Sequence, residues 1–265
     1  MITTLHSEDG ARVQIAHHGA QVFSWIPAGQ NEQLFLSAKS AFDSGASLRG
    51  GIPVIFPQFA DLGPLPKHGV VRTQEWHCVE SAQPGQALFE LRDNAVTRAA
   101  WSYAFLAQLH ISFGGESLEV KLSIHNTGTT PFSFTAALHT YLRVKQIAAV
   151  RLRGLQGLTY RDKVTGLDAR EMSPQLAITG QTDRIYSHSP AQLQVQEGQH
   201  IRDVISAGFT DAVIWNPGVE VSLADMEPGG EQRMLCVEAA TISTPVILSP
   251  GQCWSGLQRI ISPLV

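Results

Sequence analysis

Residues 118–125 read "LEVKLSIH", and their pattern decides the class of fold. Leu118, Val120, Leu122 and Ile124 fall on one side, and Glu119, Lys121, Ser123 and His125 on the other. A period of two is the signature of a strand with one buried face. Just upstream, "YAFLAQLHIS" (103–112) alternates in the same way through Phe105, Ala107, Leu109 and Ile111, and "FGGES" between the two reads as a hairpin loop. Similar short runs recur at "RVQIA" (12–16), "QVFSWI" (21–26), "ALFEL" (87–91), "FSFTAAL" (132–138), "VEVSL" (219–223), "MLCVEAA" (234–240) and "TPVIL" (244–248). Turn signals such as "NTGTTP", "NPG" and "EPGGE" separate several of them. No long 3.6-residue pattern is present, although short helical turns are expected near residues 38–43 and 225–234. The expected fold is all-β: a large antiparallel β-sandwich in which residues 1–265 form a single domain.

Composition narrows the function classes. The chain has 265 residues, 43% hydrophobic and 16% charged, with a formal net charge of −4. That balance offers no basic footprint for nucleic acid or an anionic membrane. No apolar run approaches the roughly 20 residues of a membrane span. The start, "MITTLHSEDGARVQIAHHGA", lacks the basic and apolar stretches of a signal peptide. Three cysteines, Cys78, Cys236 and Cys253, fit a reducing compartment, so a cytoplasmic location is expected. None of the ten histidines falls in an H-x-H or H-E-x-x-H pattern, and no nucleophile-elbow, phosphate-loop or dinucleotide motif occurs. Neither a metal nor a cofactor is expected.

The remaining chemistry lies in a few irregular words. "RGGIPVIFPQF" (49–59) carries Pro53 and Pro57, which disfavour a regular central strand, yet it is too apolar to be free in solvent. "LPKHGVVR" (65–72) supplies Lys67, His68 and Arg72; "ALHTYLRV" (137–144) supplies His139 at the end of an apolar strand; "QTDRIY" (181–186) supplies Asp183; and "MLCVEAA" sets Glu238 among apolar neighbours. By alternation alone Glu238 belongs on an exposed strand face, and each of the others has an ordinary surface reading. Histidine, carboxylate and arginine on a β scaffold suit proton transfer on a small polar molecule.

In their order and wording these segments, with "VIWNP" (213–217) and "SPGQCWSG" (249–256), resemble the aldose 1-epimerase (mutarotase) superfamily, in its hexose-6-phosphate branch. The resemblance spans residues 49–256. It implies a β supersandwich with a sugar groove on one sheet face, and interconversion of the α and β anomers of a hexose 6-phosphate, such as glucose 6-phosphate, with no nucleic-acid or membrane partner and a monomer expected. It also implies His139 as general acid, Glu238 as general base, and Arg49, Lys67, His68, Arg72 and Asp183 as substrate-binding residues. Opening a cyclic hemiacetal needs a proton delivered to the ring oxygen while another leaves the C1 hydroxyl, which a histidine and a carboxylate on opposite sides of C1 would accomplish. Lys67 stands where the branch often has glutamine, and Gln181 and Gly218 depart from its "ETDR" and "WNPW"; these bear on sugar preference. A same-fold enzyme for unphosphorylated sugars and a catalytically silent sugar-phosphate sensor remain open as alternatives.

Overall fold

The computed structural model describes residues 1–42, 45–79 and 84–264. Among them the strands form three antiparallel sheets of three, eight and nine strands. Strands Phe105–Gly114 and Ser117–Asn126 bury every second residue, as their alternation requires. Gly114 pairs with Ser117, so the loop between them is two residues, tighter than "FGGES" suggests. Both strands belong to the nine-stranded sheet. Its Leu109, Leu122 and Ile124 share one apolar cluster with Phe134, Leu138, Ile214 and Val237 of the eight-stranded sheet and with Val13, Val22 and Trp25 of the small sheet. That shared apolar layer is what makes the fold a sandwich.

The eight-stranded sheet positions the candidate site. Its order runs Leu167–Arg170, Thr159–Asp162, Thr182–Ser187, Asp211–Asn216, Met234–Leu248, Phe132–Leu138 and Val54–Ile55, with Tyr141–Arg143 also pairing Met234–Leu248. The first nine residues of Met234–Leu248 are all buried, so this strand has no exposed face there. One face meets the main core. The other is covered by Phe59 and Ala60, which cluster with Ile55, Ala137, Ile185, Val213, Ala240 and Ile242.

Four local readings change. "MLCVEAA" and "TPVIL" are one fifteen-residue strand whose pairing with Phe132–Leu138 shifts between Thr241 and Val246. "VEVSL" is not a strand: residues 218–220 turn and 221–223 are irregular. The Pro217–Gly218 pair leads the chain out of the sheet, and Val219, 70% exposed, has no face to bury. The sequence signs of helix near 225–234 correspond to a 3-10 turn at Gly230–Arg233, whereas near 38–43 there are only turns at 38–39 and 42, with Asp43 outside the described residues. A short α-helix at Ala95–Ala100 was not anticipated; its signal was Asn94, whose side chain accepts from the backbone N–H groups of Val96 and Thr97 in a capping box. Among the described residues no helix is long and apolar enough to cross a membrane.

Candidate active site

Strand register builds the floor of the site. Asp183 pairs with Trp215, Trp215 with Cys236, and Cys236 with Tyr141, so these four form one row across neighbouring strands. The adjacent row on the same face holds Ile185, Val213 and Glu238. Because side chains alternate, Asp183 and Glu238 necessarily face the same side. Glu238 is 2% exposed, which removes the exposed-strand reading: residues 59–60 roof the face that alternation alone would leave open.

Irregular segments supply the walls. In "RGGIPVIFPQF" the chain passes so close to its neighbours that side chains are excluded at two points. A Cβ at Gly50 (φ +134°) would lie 2.2 Å from the Phe35 carbonyl oxygen, and one at Gly51 (φ +62°) 2.3 Å from that of Val22. The Gly51 carbonyl accepts from Tyr141 N–H (2.9 Å) and the Pro53 carbonyl from His139 N–H (3.0 Å). Two prolines are tolerated because the segment lies at the sheet margin, with only Val54 and Ile55 in the ladder. It carries Arg49 to the pocket lining.

The resulting pocket encloses about 200 Å³. All seven residues singled out by sequence line it: Arg49, Lys67, His68, Arg72, His139, Asp183 and Glu238. His139 Nε2 lies 3.4 Å from Glu238 Oε1. The two are neighbours rather than groups on opposite sides of a gap, because His139 directly follows Leu138, which pairs with Ala239, the residue next to Glu238. His139 Nδ1 and Glu238 Oε2 are buried without a hydrogen-bond partner. Burial pushes the Glu238 carboxyl well up, with Asp183 adding to it and Lys163 opposing. Burial, then His68, Arg49 and Arg72, pushes the His139 imidazole well down. Both shifts are toward the neutral forms of the two groups.

His68 adopts a left-handed backbone (φ +67°), and its Nδ1 accepts from Ala60 N–H (3.2 Å). Burial, aided by Arg72, Lys67, Lys163 and Arg49, lowers its pKa to about 3. The ring is thus neutral with its proton on Nε2, a donor only at that atom. Asp183 is pushed upward by burial, against the pull of Lys163 and Lys67. Arg72, in the 3-10 turn Val71–Thr73, donates to the Lys67 carbonyl (2.9 Å).

Four features escaped sequence reading. Lys163 enters from the turn after Thr159–Asp162, 3.9 Å from Asp183 and 3.8 Å from Asp61. Trp215 and Leu223 line the pocket. Asp225 takes both Nε and Nη2 of Arg49 (2.9–3.1 Å), so this arginine is ion-paired. Tyr141 stacks on His139 and accepts from Arg49 Nη1 (2.9 Å). Tyr141 lies two residues from His139 in the same word, whereas Lys163 and Asp225, in loops without a periodic signal, reach the site only through the fold. The departures at 181 and 218 touch each other: a Cβ at Gly218 would lie 2.6 Å from the Gln181 backbone nitrogen.

Among the described residues one set of donors could hold a metal. His139, Cys236 and Glu238, all buried, place ligand atoms within 4.8 Å of one another. Burial and Glu238 push the Cys236 thiol well up, so both it and Glu238 would have to lose a proton to ligate.

Residues 1–260 match the family model described as aldose 1-epimerase. A protein of Cenchrus ciliaris named "Putative glucose-6-phosphate 1-epimerase" is 32% identical over 266 residues, covering 93% of this chain and 81% of its own. A protein of the same name from Escherichia coli K12 is 32% identical, over 88% of this chain and 80% of its own. The crystal structure of a "putative mutarotase (YeaD)" from Salmonella typhimurium superposes with a TM-score of 0.91 at 28% identity, covering all of this chain and 90% of that one.

Proposed function

The chain belongs to the aldose 1-epimerase family, and on that premise we propose that it interconverts the α and β anomers of a hexose 6-phosphate, with glucose 6-phosphate the first candidate. The observation that carries the reading is the His139–Glu238 pair, 3.4 Å apart on the floor of a pocket whose walls present Arg49, Arg72, Lys67 and Lys163.

The chemistry follows from the proton inventory. Glu238 as carboxylate takes the proton of the C1 hydroxyl while His139 as imidazolium gives one to the ring oxygen, and the C1–O5 bond breaks to leave the open-chain aldehyde. Rotation about C1–C2 and the reverse transfers close the ring with the other configuration. Both oxygens are bonded to C1, so an adjacent acid and base can reach both. A phosphate dianion held by Arg49 and Arg72 offsets two of the charges that press His139 down, which favours the imidazolium–carboxylate form of the pair. Positioned proton transfer of this kind contributes about 10²–10⁴-fold. Lys67, Asp183 and the Nε2–H of His68 are assigned to sugar hydroxyls. The cationic walls favour a phosphorylated sugar over a neutral one, and a silent sensor would have no use for the buried acid–base pair. In this reading residues 1–265 act as one mutarotase-like unit, and a single chain suffices because every assigned group comes from it.

Two-dimensional exchange NMR of the two anomers at trace protein tests the function. Cross-peaks between the anomers of glucose 6-phosphate, far stronger than those of glucose, are expected; no acceleration over the buffer rate for either sugar overturns it.

A further inference from the structure

Tyr141 lines this pocket and touches both His139 and Arg49. Its ring is stacked on His139, with centroids 4.8 Å apart and planes 11° from parallel. Its hydroxyl accepts from Nη1 of Arg49 at 2.9 Å. The side chain is 2% exposed. Its backbone is fixed on three sides: it is paired with Cys236, its N–H donates to the Gly51 carbonyl (2.9 Å), and its carbonyl accepts from Phe35 N–H (3.0 Å). Trp215 meets both rings edge-on, at 6.1 Å from His139 and 5.9 Å from Tyr141, which closes the stack from the side.

Arg49 in turn has little freedom left. Asp225 occupies its Nε and Nη2, and Tyr141 its Nη1, so the remaining Nη hydrogens point in a direction set by these two partners. Asp225 is exposed, its side chain 46% accessible, whereas Tyr141 is buried and fixed through its backbone. The firmer of the two anchors is therefore the tyrosine.

We propose that Tyr141 is a positioning residue that fixes the distance between the group reading the phosphate and the group delivering the proton: its hydroxyl aims Arg49 and its ring aims His139. The proposal rests on the reading of the pocket as a hexose 6-phosphate site. One residue then sets how far C6 of the sugar can lie from C1 when both ends are engaged, a spacing that rigid elements hold better than two independent loops. The two duties reside in different atoms, so they can be separated.

Two variants make the test, assayed on the full chain with glucose 6-phosphate by anomer-exchange NMR across a range of substrate concentrations. Tyr141→Phe keeps the stack and removes only the contact to Arg49. It should raise KM about tenfold, the size of one charge-assisted hydrogen bond, while kcat falls by less than about threefold. Tyr141→Leu removes the stack as well and should lower kcat at saturation by about tenfold or more, as a misaimed acid does. Melting temperatures of both variants accompany the kinetics; if the leucine variant fails to fold, the KM and kcat of the phenylalanine variant decide alone. Proportional losses in KM and kcat for the phenylalanine variant, or kinetics like those of the wild type, overturn the proposal. If the unaltered protein exchanges no anomers of glucose 6-phosphate, the functional reading fails and takes this one with it; if it does exchange them and the phenylalanine variant matches it, only the role of Tyr141 is lost.

Discussion

Replacing Arg72 by alanine should separate phosphorylated from unphosphorylated substrate. Among the described residues Arg72 makes one side-chain hydrogen bond, to the Lys67 carbonyl, and no ion pair. Burial lowers its pKa, with Arg49 adding to the effect and the Tyr141 hydroxyl and Asp225 opposing it. An arginine held at a pocket wall without a carboxylate of its own is poised for an anion from outside. Removing one charged partner from a desolvated pair costs about 2–5 kcal/mol. Arg49, Lys67 and Lys163 remain in the pocket, so the low end applies: about 2 kcal/mol, or about 30-fold in kcat/KM for glucose 6-phosphate. Glucose, which lacks the dianion, should lose far less. Lys67→Gln should do less than Arg72→Ala, because a lysine contributes a point charge where arginine offers a fork. The assay is anomer exchange with both sugars in each variant, read as the ratio of the two kcat/KM values. If Arg72→Ala lowers both sugars equally, the arginine shapes the pocket and the phosphate reading is wrong.

Arg49→Ala should cost more than Arg72→Ala for the 6-phosphate, because it also strips Asp225 of its partner and leaves a carboxylate facing the dianion; a smaller loss than that of Arg72→Ala would place the phosphate away from Arg49. Glu238→Gln should stabilise the fold in a pH-dependent way. The folded pKa of Glu238 is raised above its ordinary 4.5, so the folded state binds more protons than the unfolded state above that pH and loses stability as pH rises through the window. Glutamine does not titrate, so the melting temperature of Glu238→Gln relative to wild type should climb as pH rises above 4.5; a constant difference would mean that the fold does not raise the Glu238 pKa. Exhaustive chelation should leave exchange intact, since burial disfavours the deprotonated, ligating forms of two of the three donors at His139, Cys236 and Glu238; activity lost and then restored by zinc would place a cation there.

Much of this architecture is legible in a period of two. The strand "FSFTAAL" spans the same residues, Phe132–Leu138, in sequence and structure, because its alternation and the turn residues before it agree. "VEVSL" misleads because alternation reports amphipathicity and says nothing of whether a sheet is near enough to join. Glu238 is the instructive case. Its strand is buried on both faces, so its polar character is no sign of solvent, and no local pattern distinguishes the two. The family wording singled it out where spacing pointed the other way. Lys163, Asp225 and Tyr141 come from three separate segments, and the approach of Lys163 to Asp183 and of Asp225 and Tyr141 to Arg49 depends on register and on loops, which a single sequence does not encode locally. Asp183 and Arg184 illustrate the same point: both lie on the strand Thr182–Ser187, and Arg184 pairs with Glu171 (3.1 Å) while Asp183 lines the pocket.

The central claim is that His139 and Glu238 together transfer the protons of ring opening, and anomer exchange of glucose 6-phosphate in His139→Asn, Glu238→Gln and the double variant tests it most directly. Acid and base acting in one step are not additive, so each single variant should lose about 10²-fold or more and the double variant little beyond that. A single variant that keeps more than about a tenth of wild-type exchange while folded, or a double variant whose loss is the product of the two single losses, would contradict it.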